Sequence, residues 1–278
     1  MDALKVYEPG IYSLTWEHYE QALGLRKSHL DLLHHSPAHL QAELLEPSPP
    51  TDAMQWGARF HAYLLEPAVF DASYAVVEDK LDRRTKEGRA AWEDWQEANP
   101  GKEAIDRPTM RELEAMRDSV MSHPHAAAAL TGGQAERSIF WTHTLAVAEP
   151  IACKGRLDYI TRHRFILDVK TAKDARADAF SRACWDYRYH VQAAYYLDGY
   201  GAASGQDAEG VLIIAVEKTP PYALEVYLVN DEMIEQGRRE YLEDVRVYAE
   251  CLAADKWPGY TQEVKSITLP GWAQERTY

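Results

Sequence analysis

GRLDYITRHRFILDVKTAK, residues 155–173, decides how this chain is read. Two runs rich in β-branched and aromatic residues, 151–160 and 164–169, flank the polar triplet Thr161-Arg162-His163, which predicts an antiparallel hairpin. Alternate side chains of a strand share a face, so Asp168 and Lys170 point one way and Val169 the other. Asp158 lies on the preceding strand, and a register pairing it with Asp168 or Ile166 puts both carboxylates on one face. Charges are rarely buried without partners. A divalent ion resolves the conflict, because Mg²⁺ takes oxygen ligands from one or two carboxylates and keeps positions for water and phosphate. Such an ion lowers the pKa of a bound water and stabilises phosphoryl charge. A neighbouring ammonium, here Lys170, orients the attacking water. The Val169 carbonyl is a further candidate ligand. The plainer alternative is an exposed Asp168–Lys170 surface pair, worth about 0–1 kcal/mol. The apolar run Phe165-Ile166-Leu167 and the second aspartate speak against it.

Outward from the hairpin, 138–144 reads as a third strand in an antiparallel set of three. Glu136, just before it, is a candidate auxiliary acid. Residues 175–187 and 190–203 read as helices, 210–217 and 222–229 as strands joined by Lys218-Thr219-Pro220-Pro221, and 231–252 as a long amphipathic helix. The first third is helical by pattern. Thr15 is a cap; Ser28 opens one segment, and Ser36-Pro37 fits a second start with Ser as cap and Pro at the first helical position. Residues 51–66, the second half of 80–96, 108–121 and 123–130 follow as further helices. The expected organisation is a single domain over 1–278. A mainly helical part covers 1–133, a sheet-and-helix core 134–260 and a tail 261–278. The fold class is α/β (α+β) with a mixed central sheet flanked by helices.

Composition narrows the function classes. The chain is 46% hydrophobic and carries eight Trp and seventeen Tyr, which argues against disorder. Its longest aliphatic run, 211–216, is far short of the roughly 20 residues that span a bilayer, and no basic start with an apolar stretch suggests a signal peptide. Cys153, Cys184 and Cys251 are scattered, without a CxxC pair or zinc spacing. These features imply no membrane and a reducing, cytoplasmic setting. The net charge of −14 runs against a nucleic-acid partner, since phosphate contacts come from Lys and Arg. The motifs therefore carry the functional reading. No G-x-S-x-G elbow, H-E-x-x-H or P-loop occurs.

Six segments, in order, make a larger pattern: WGARFHAYLLEP (56–67), DRRTKEGRAAW (82–92), GRLDYI (155–160), ILDVKTAKDA (166–175), YHVQAAYYLDGY (189–200) and AVEKTPPYAL (215–224). In these the chain resembles the RecB-like branch of the PD-(D/E)XK nuclease superfamily, and within it the nuclease domain of the exonuclease VIII (RecE) family of phage and prophage recombination enzymes. The resemblance implies a restriction-endonuclease-like core. It makes His61, in Gly57-x-x-x-His61, a metal ligand beside Asp158 and Asp168, and Lys170 the catalytic lysine. Gln192 and Tyr196 match the branch's Q-x-x-x-Y motif, and their i, i+4 spacing sets both on one helical face, toward the site and the DNA backbone. Arg83, Arg84, Lys86 and Arg89 are candidates for phosphate contacts, with a solvated helix face as the alternative.

The activity so implied is Mg²⁺-dependent digestion of linear double-stranded DNA, with Mn²⁺ able to substitute. By the resemblance it runs 5′ to 3′ and leaves 3′ single strands for a single-strand annealing protein, and the chain assembles as a homo-oligomeric ring. Two other readings stay open: a nuclease-fold module that binds DNA ends without turnover, and a RecB-like endonuclease acting on flaps or single strands. The iron–sulfur cysteines of some RecB-like relatives are absent.

Overall fold

The computed structural model describes residues 5–77, 82–145, 149–261 and 263–268. A short strand β1 (Gly10–Tyr12) precedes α1 (Trp16–Glu20), α2 (Lys27–His35), α3 (Pro37–Leu45), α4 (Asp52–Leu65) and α5 (Pro67–Ser73). Then come β2 (Tyr74–Val77), α6 (Lys86–Ala98), β3 (Glu103–Asp106), α7 (Arg107–Ser122) and α8 (Pro124–Ala129). The second half holds β4 (Gln134–His143), β5 (Ile151–Ile160), β6 (Phe165–Ala172), α9 (Ala177–Asp186), α10 (Tyr189–Ser204), β7 (Gly210–Glu217), β8 (Leu224–Leu228) and α11 (Asp231–Ala254).

Thr15, Thr51, Thr85 and Asp106 cap α1, α4, α6 and α7, each side-chain oxygen accepting the N–H three residues on. Ser36 departs from its expected role. Its hydroxyl meets the His39 ring at 2.7 Å rather than a backbone N–H, and Pro37 alone opens α3. β2 and β3 pair in parallel as a separate two-stranded sheet beyond the sequence pattern, which is too short at four residues each to show a period.

The main sheet runs β1-β4-β5-β6-β7-β8, antiparallel except for β6–β7. The parallel pair is joined by the α9–α10 crossover, as a parallel connection requires. Helices cover both faces. Ile166, Val211, Ile213 and Ala215 pack with α2, α3, α9, α10 and α11; Leu167, Val169, Ile214 and Val216 pack with α4, α5, α7 and α8. Alternation along β6 and β7 thus feeds two cores, which is why these strands read as continuous apolar runs. Among the described residues no helix is long and apolar enough to cross a membrane.

The N-terminal segment is fastened to this sheet by polar contacts. The buried Lys154 ammonium donates to the carbonyls of Tyr19, Glu20 and Ala22 at 2.7–3.3 Å, and the Tyr195 hydroxyl donates to Leu25 O at 2.6 Å. α10 and α11 meet closely at Gly237, where a Cβ would stand 2.0 Å from the His190 carbonyl oxygen. Gly237→Ala therefore forces the two helices apart. It is expected to cost about 1–3 kcal/mol, seen as a lower urea midpoint at unchanged m.

Candidate active site

The main sheet opens between β5 and β6. β5 pairs with β4 and β6 with β7 along most of their lengths, but β5 and β6 share only Tyr159↔Leu167 and Ile160↔Ile166. Extending that register sets Asp158 across from Asp168, as the hairpin spacing predicts. The next hydrogen bond is not backbone to backbone, because the Val169 N–H donates to Asp158 Oδ2 at 2.8 Å. The Val169 carbonyl, facing the same opening, accepts from His61 Nε2 at 2.8 Å. A carbonyl can only accept, so Nε2 carries a proton, and in the neutral ring Nδ1 is the nitrogen with a lone pair. Nδ1 lies 3.7 Å from Asp158 Oδ2 and 3.9 Å from Glu136 Oε1.

Glu136 enters this group from β4. The β4–β5 register runs Gln134↔Ile160, Ala135↔Tyr159, Arg137↔Leu157, which sets Glu136 across from Asp158. Its backbone adopts φ +48° in mid-strand, a left-handed conformation that costs a non-glycine residue about 1–3 kcal/mol. Sequence pattern starts this strand at Ser138. The structure starts it four residues earlier and so moves Glu136 from a flanking position into the sheet; the polar run Gln134-Ala135-Glu136-Arg137 gives no apolar alternation to mark it. The strand's entry is held at Tyr159, whose hydroxyl accepts the Gly133 N–H and donates to Leu130 O, both at 2.8 Å. A Cβ at Gly133 would stand 2.3 Å from Ile160 O.

Asp168 and Lys170 form a second cluster on the α10 side. Asp168 is 5% exposed, and Lys170 Nζ bridges its two carboxylate oxygens at 2.8 and 2.9 Å. Gln192 closes the ring, donating from Nε2 to Asp168 Oδ1 at 2.6 Å and accepting from Lys170 through Oε1 at 3.2 Å. Lys170 also lies 4.8 Å from the Tyr189 ring centroid. Burial works against the Lys170 charge, but Asp168 and Asp158 outweigh it and hold the ammonium pKa above its usual value. Tyr196 lies on the sheet-facing side of α10, close enough to Asp158 and Asp168 for both carboxylates to act on its phenol. Its ring lies against Gly155 of β5, where a Cβ would be 3.0 Å away, and burial raises its phenol pKa well above the usual value. An i, i+4 pair does share a face, but that face of α10 packs on the sheet.

The basic residues expected at phosphates are engaged locally. The Arg83 guanidinium stacks 3.5 Å over Trp92, Arg84 pairs with Asp82 at 2.9 Å, and Arg89 donates to Arg84 O at 2.9 Å. Lys86 opens α6. Among the described residues none of the four pairs with a group of the site. Lys80 and Leu81 of the same basic stretch lie outside the described residues, as do parts of the tail, Gln262 and 269–278. Sequence reasoning passed over Arg156, whose Nε donates to Glu136 Oε2 at 2.6 Å and whose Nη1 donates to Leu14 O at 2.9 Å. Nothing in an isolated arginine signals that role without the register.

One donor atom each from His61, Glu136 and Asp158 falls within 4.8 Å of the others. Ligands around one small divalent ion at about 2.0–2.1 Å stand roughly 3–4 Å apart, so the set fits such an ion. The electrostatics agree. Burial, and Asp158 next to it, raise the Glu136 carboxyl to about 7, which marks a position that favours added positive charge. A histidine whose other nitrogen is fixed by a backbone carbonyl is also a usual metal ligand.

A carboxylate–lysine pair on one strand of a mixed sheet, with a second acid at the opening of the adjacent strand, defines a PD-(D/E)XK-type core. The chain belongs to the family described as PDDEXK-like domain of unknown function (DUF3799), matched over residues 27–270. Its fold is similar to that of a presumed exonuclease from Eubacterium rectale, at TM-score 0.57 and 12% identity, covering 96% of this chain and 100% of that one. The crystal structure of SSO0001 superposes at TM-score 0.31 and 13% identity, over 69% of this chain and 85% of that one, too low to add to the argument. No curated protein matches.

Asp158→Asn keeps an oxygen to accept the Val169 N–H while removing the charge that faces Glu136. In chelator at pH 7.5 its thermal midpoint is expected about 2–4 °C above wild type, corresponding to about 1 kcal/mol. The gap narrows toward pH 5. Glu136 has a folded pKa of about 7, above the ordinary carboxylate value, so it takes up a proton over that range and the repulsion disappears from wild type too. An unchanged gap across pH would assign the effect elsewhere.

Proposed function

We propose that this chain is a metal-dependent deoxyribonuclease, with His61, Glu136, Asp158 and Asp168 around a divalent ion and Lys170 serving the attacking water. The observation that carries this reading is the split sheet, which gathers three acids, a histidine with one free lone pair and a held ammonium at a single opening. Membership of a PDDEXK-like family supports a nuclease.

Bound in this opening, Mg²⁺ or Mn²⁺ supplies Lewis acidity and a water of lowered pKa. The protein's own part is positional. His61 and Asp158 take the Val169 backbone groups and so hold both edges of the opening apart. Asp168 and Gln192 hold the Lys170 ammonium in one place, where its charge serves to balance charge gathering on phosphate and the N–H of its longest bond, to Gln192, is the one to turn toward water. Arg156 partners Glu136 and keeps that carboxylate in the cluster. The Val169 carbonyl retains a second lone pair for the ion.

The finer reading follows from the RecE-type resemblance. The substrate is linear double-stranded DNA, digested from its ends in the 5′-to-3′ direction, and the 3′ single strands go to an annealing protein. A homo-oligomeric ring around the product strand, in a cytoplasmic setting, completes that reading. The intact Asp158, Asp168 and Lys170 set favours turnover over a DNA-end-binding module.

Purified protein is expected to shorten end-labelled linear duplex in Mg²⁺ and to stop in EDTA. Asp168→Ala and Lys170→Met should each lower the rate by at least about 100-fold without unfolding the protein by circular dichroism. Full activity of Asp168→Ala sinks the mechanism. A covalently closed circle should survive; its cleavage identifies the flap or single-strand endonuclease instead. Label placed at one 5′ end or the other reads the direction.

A further inference from the structure

Two exposed aromatic rings are each linked through one intervening side chain to a group of the site between β5 and β6. On the β4 side stands Trp16, 61% exposed, with the Arg156 guanidinium 5.9 Å from its ring; Arg156 in turn holds Glu136 at 2.6 Å. On the β6 side stands Tyr187, 63% exposed, with its ring 5.7 Å from that of Tyr189 at 25°; Tyr189 lies against Lys170. Asp158, on β5, lies between the strands that carry Glu136 and Lys170.

Single exposed aromatics are ordinary on protein surfaces. These two differ in being held. α1 is capped by Thr15, and its carbonyl end is gripped by Lys154 while Tyr19 is buried beneath Trp16. Tyr187 sits on the α9–α10 junction, where Arg188 adopts φ +53° and Lys27 Nζ donates to the Tyr187 carbonyl at 2.8 Å. A left-handed residue pinned from both sides keeps the ring turned outward at a conformational cost. Among the described residues the cations beside the opening are themselves paired, Lys170 with Asp168, Arg156 with Glu136 and Lys27 with Asp31. The chain carries −14 at pH 7, and Arg83, Arg84 and Arg89 are engaged locally.

From these observations we infer that Trp16 and Tyr187 are a pair of base-stacking walls, and that the strand to be cut crosses the site unpaired, with one base on each ring. The inference deepens the nuclease reading and rests on it for the placement of the phosphate. Stacking on aromatic faces is independent of base identity and does not rely on counterion release, so it suits an acidic protein. A duplex would enter only after its terminal pairs open, and nucleotides on either side of the scissile phosphate would leave the duplex stack.

The test is binding of fluorescein-labelled oligo-dT by anisotropy in EDTA, where no cutting occurs. Trp16→Ala and Tyr187→Ala should each weaken binding about 10-fold, equally at low and raised salt, while Tyr187→Phe stays within about twofold of wild type. An abasic site walked along the strand should cost wild type a similar factor at two positions. One of those positions should cost Tyr187→Ala nothing further, a coupling that general loss of structure cannot produce. Oligo-rU losing affinity in the same way supports stacking of either sugar. Alanine variants that bind like wild type, or an abasic profile unaltered by Tyr187→Ala, overturn the inference. Absence of Mg²⁺-dependent cleavage by wild type counts against the nuclease reading alone, since the stacking is read without the ion.

Discussion

A backbone amide and a backbone carbonyl of one residue, Val169, hold the site together. In a continued antiparallel ladder both groups would be consumed by β5. Here the N–H goes to the Asp158 carboxylate and the C=O to the His61 ring, so the sheet opens without leaving a buried polar group unsatisfied. Two functional side chains thereby become structural members of the sheet edge. Their positions are fixed by the same hydrogen bonds that keep the strands apart, and Asp168, one residue earlier, is turned toward α10 and Gln192.

Charge is distributed around that opening in two balanced groups. Lys170 answers Asp168, and Arg156 answers Glu136, while Asp158 faces Glu136 with His61 beside it and Lys170 acting on it without an ion pair. The left-handed backbone at Glu136 and the upward shift of its carboxyl, caused first by burial and then by Asp158, both mark a position held at a cost. Such costs gather at functional sites, where the surrounding structure over-determines an arrangement it would not otherwise adopt.

Much of this was legible in the sequence because β6 is short and strongly patterned. Apolar residues at 165–167 followed by Asp168-Val169-Lys170 fix both the strand and its faces, and the brief turn at 161–163 sets the register that brings Asp158 opposite. His61 and Gln192 came through resemblance, since residues on separate helices share no period with the hairpin. What stayed hidden depends on tertiary position. Glu136 acquires its place from a left-handed residue and a four-residue strand extension that no alternation marks. Helical spacing shows that Tyr196 shares a face with Gln192 but not that its ring packs against Gly155. The basic stretch at 83–89 is read from composition, which does not show the local partners of Arg83, Arg84 and Arg89.

The sheet separates two cores, and the site draws on both. His61 comes from α4, packed in one layer, while Gln192 and the Tyr189 ring beside Lys170 come from α10 in the other. Loss of either layer removes part of the constellation even if the hairpin itself survives. A chain with one layer open therefore keeps the hairpin's own carboxylates but not the full set of side chains around them; the constellation exists only where both layers are packed.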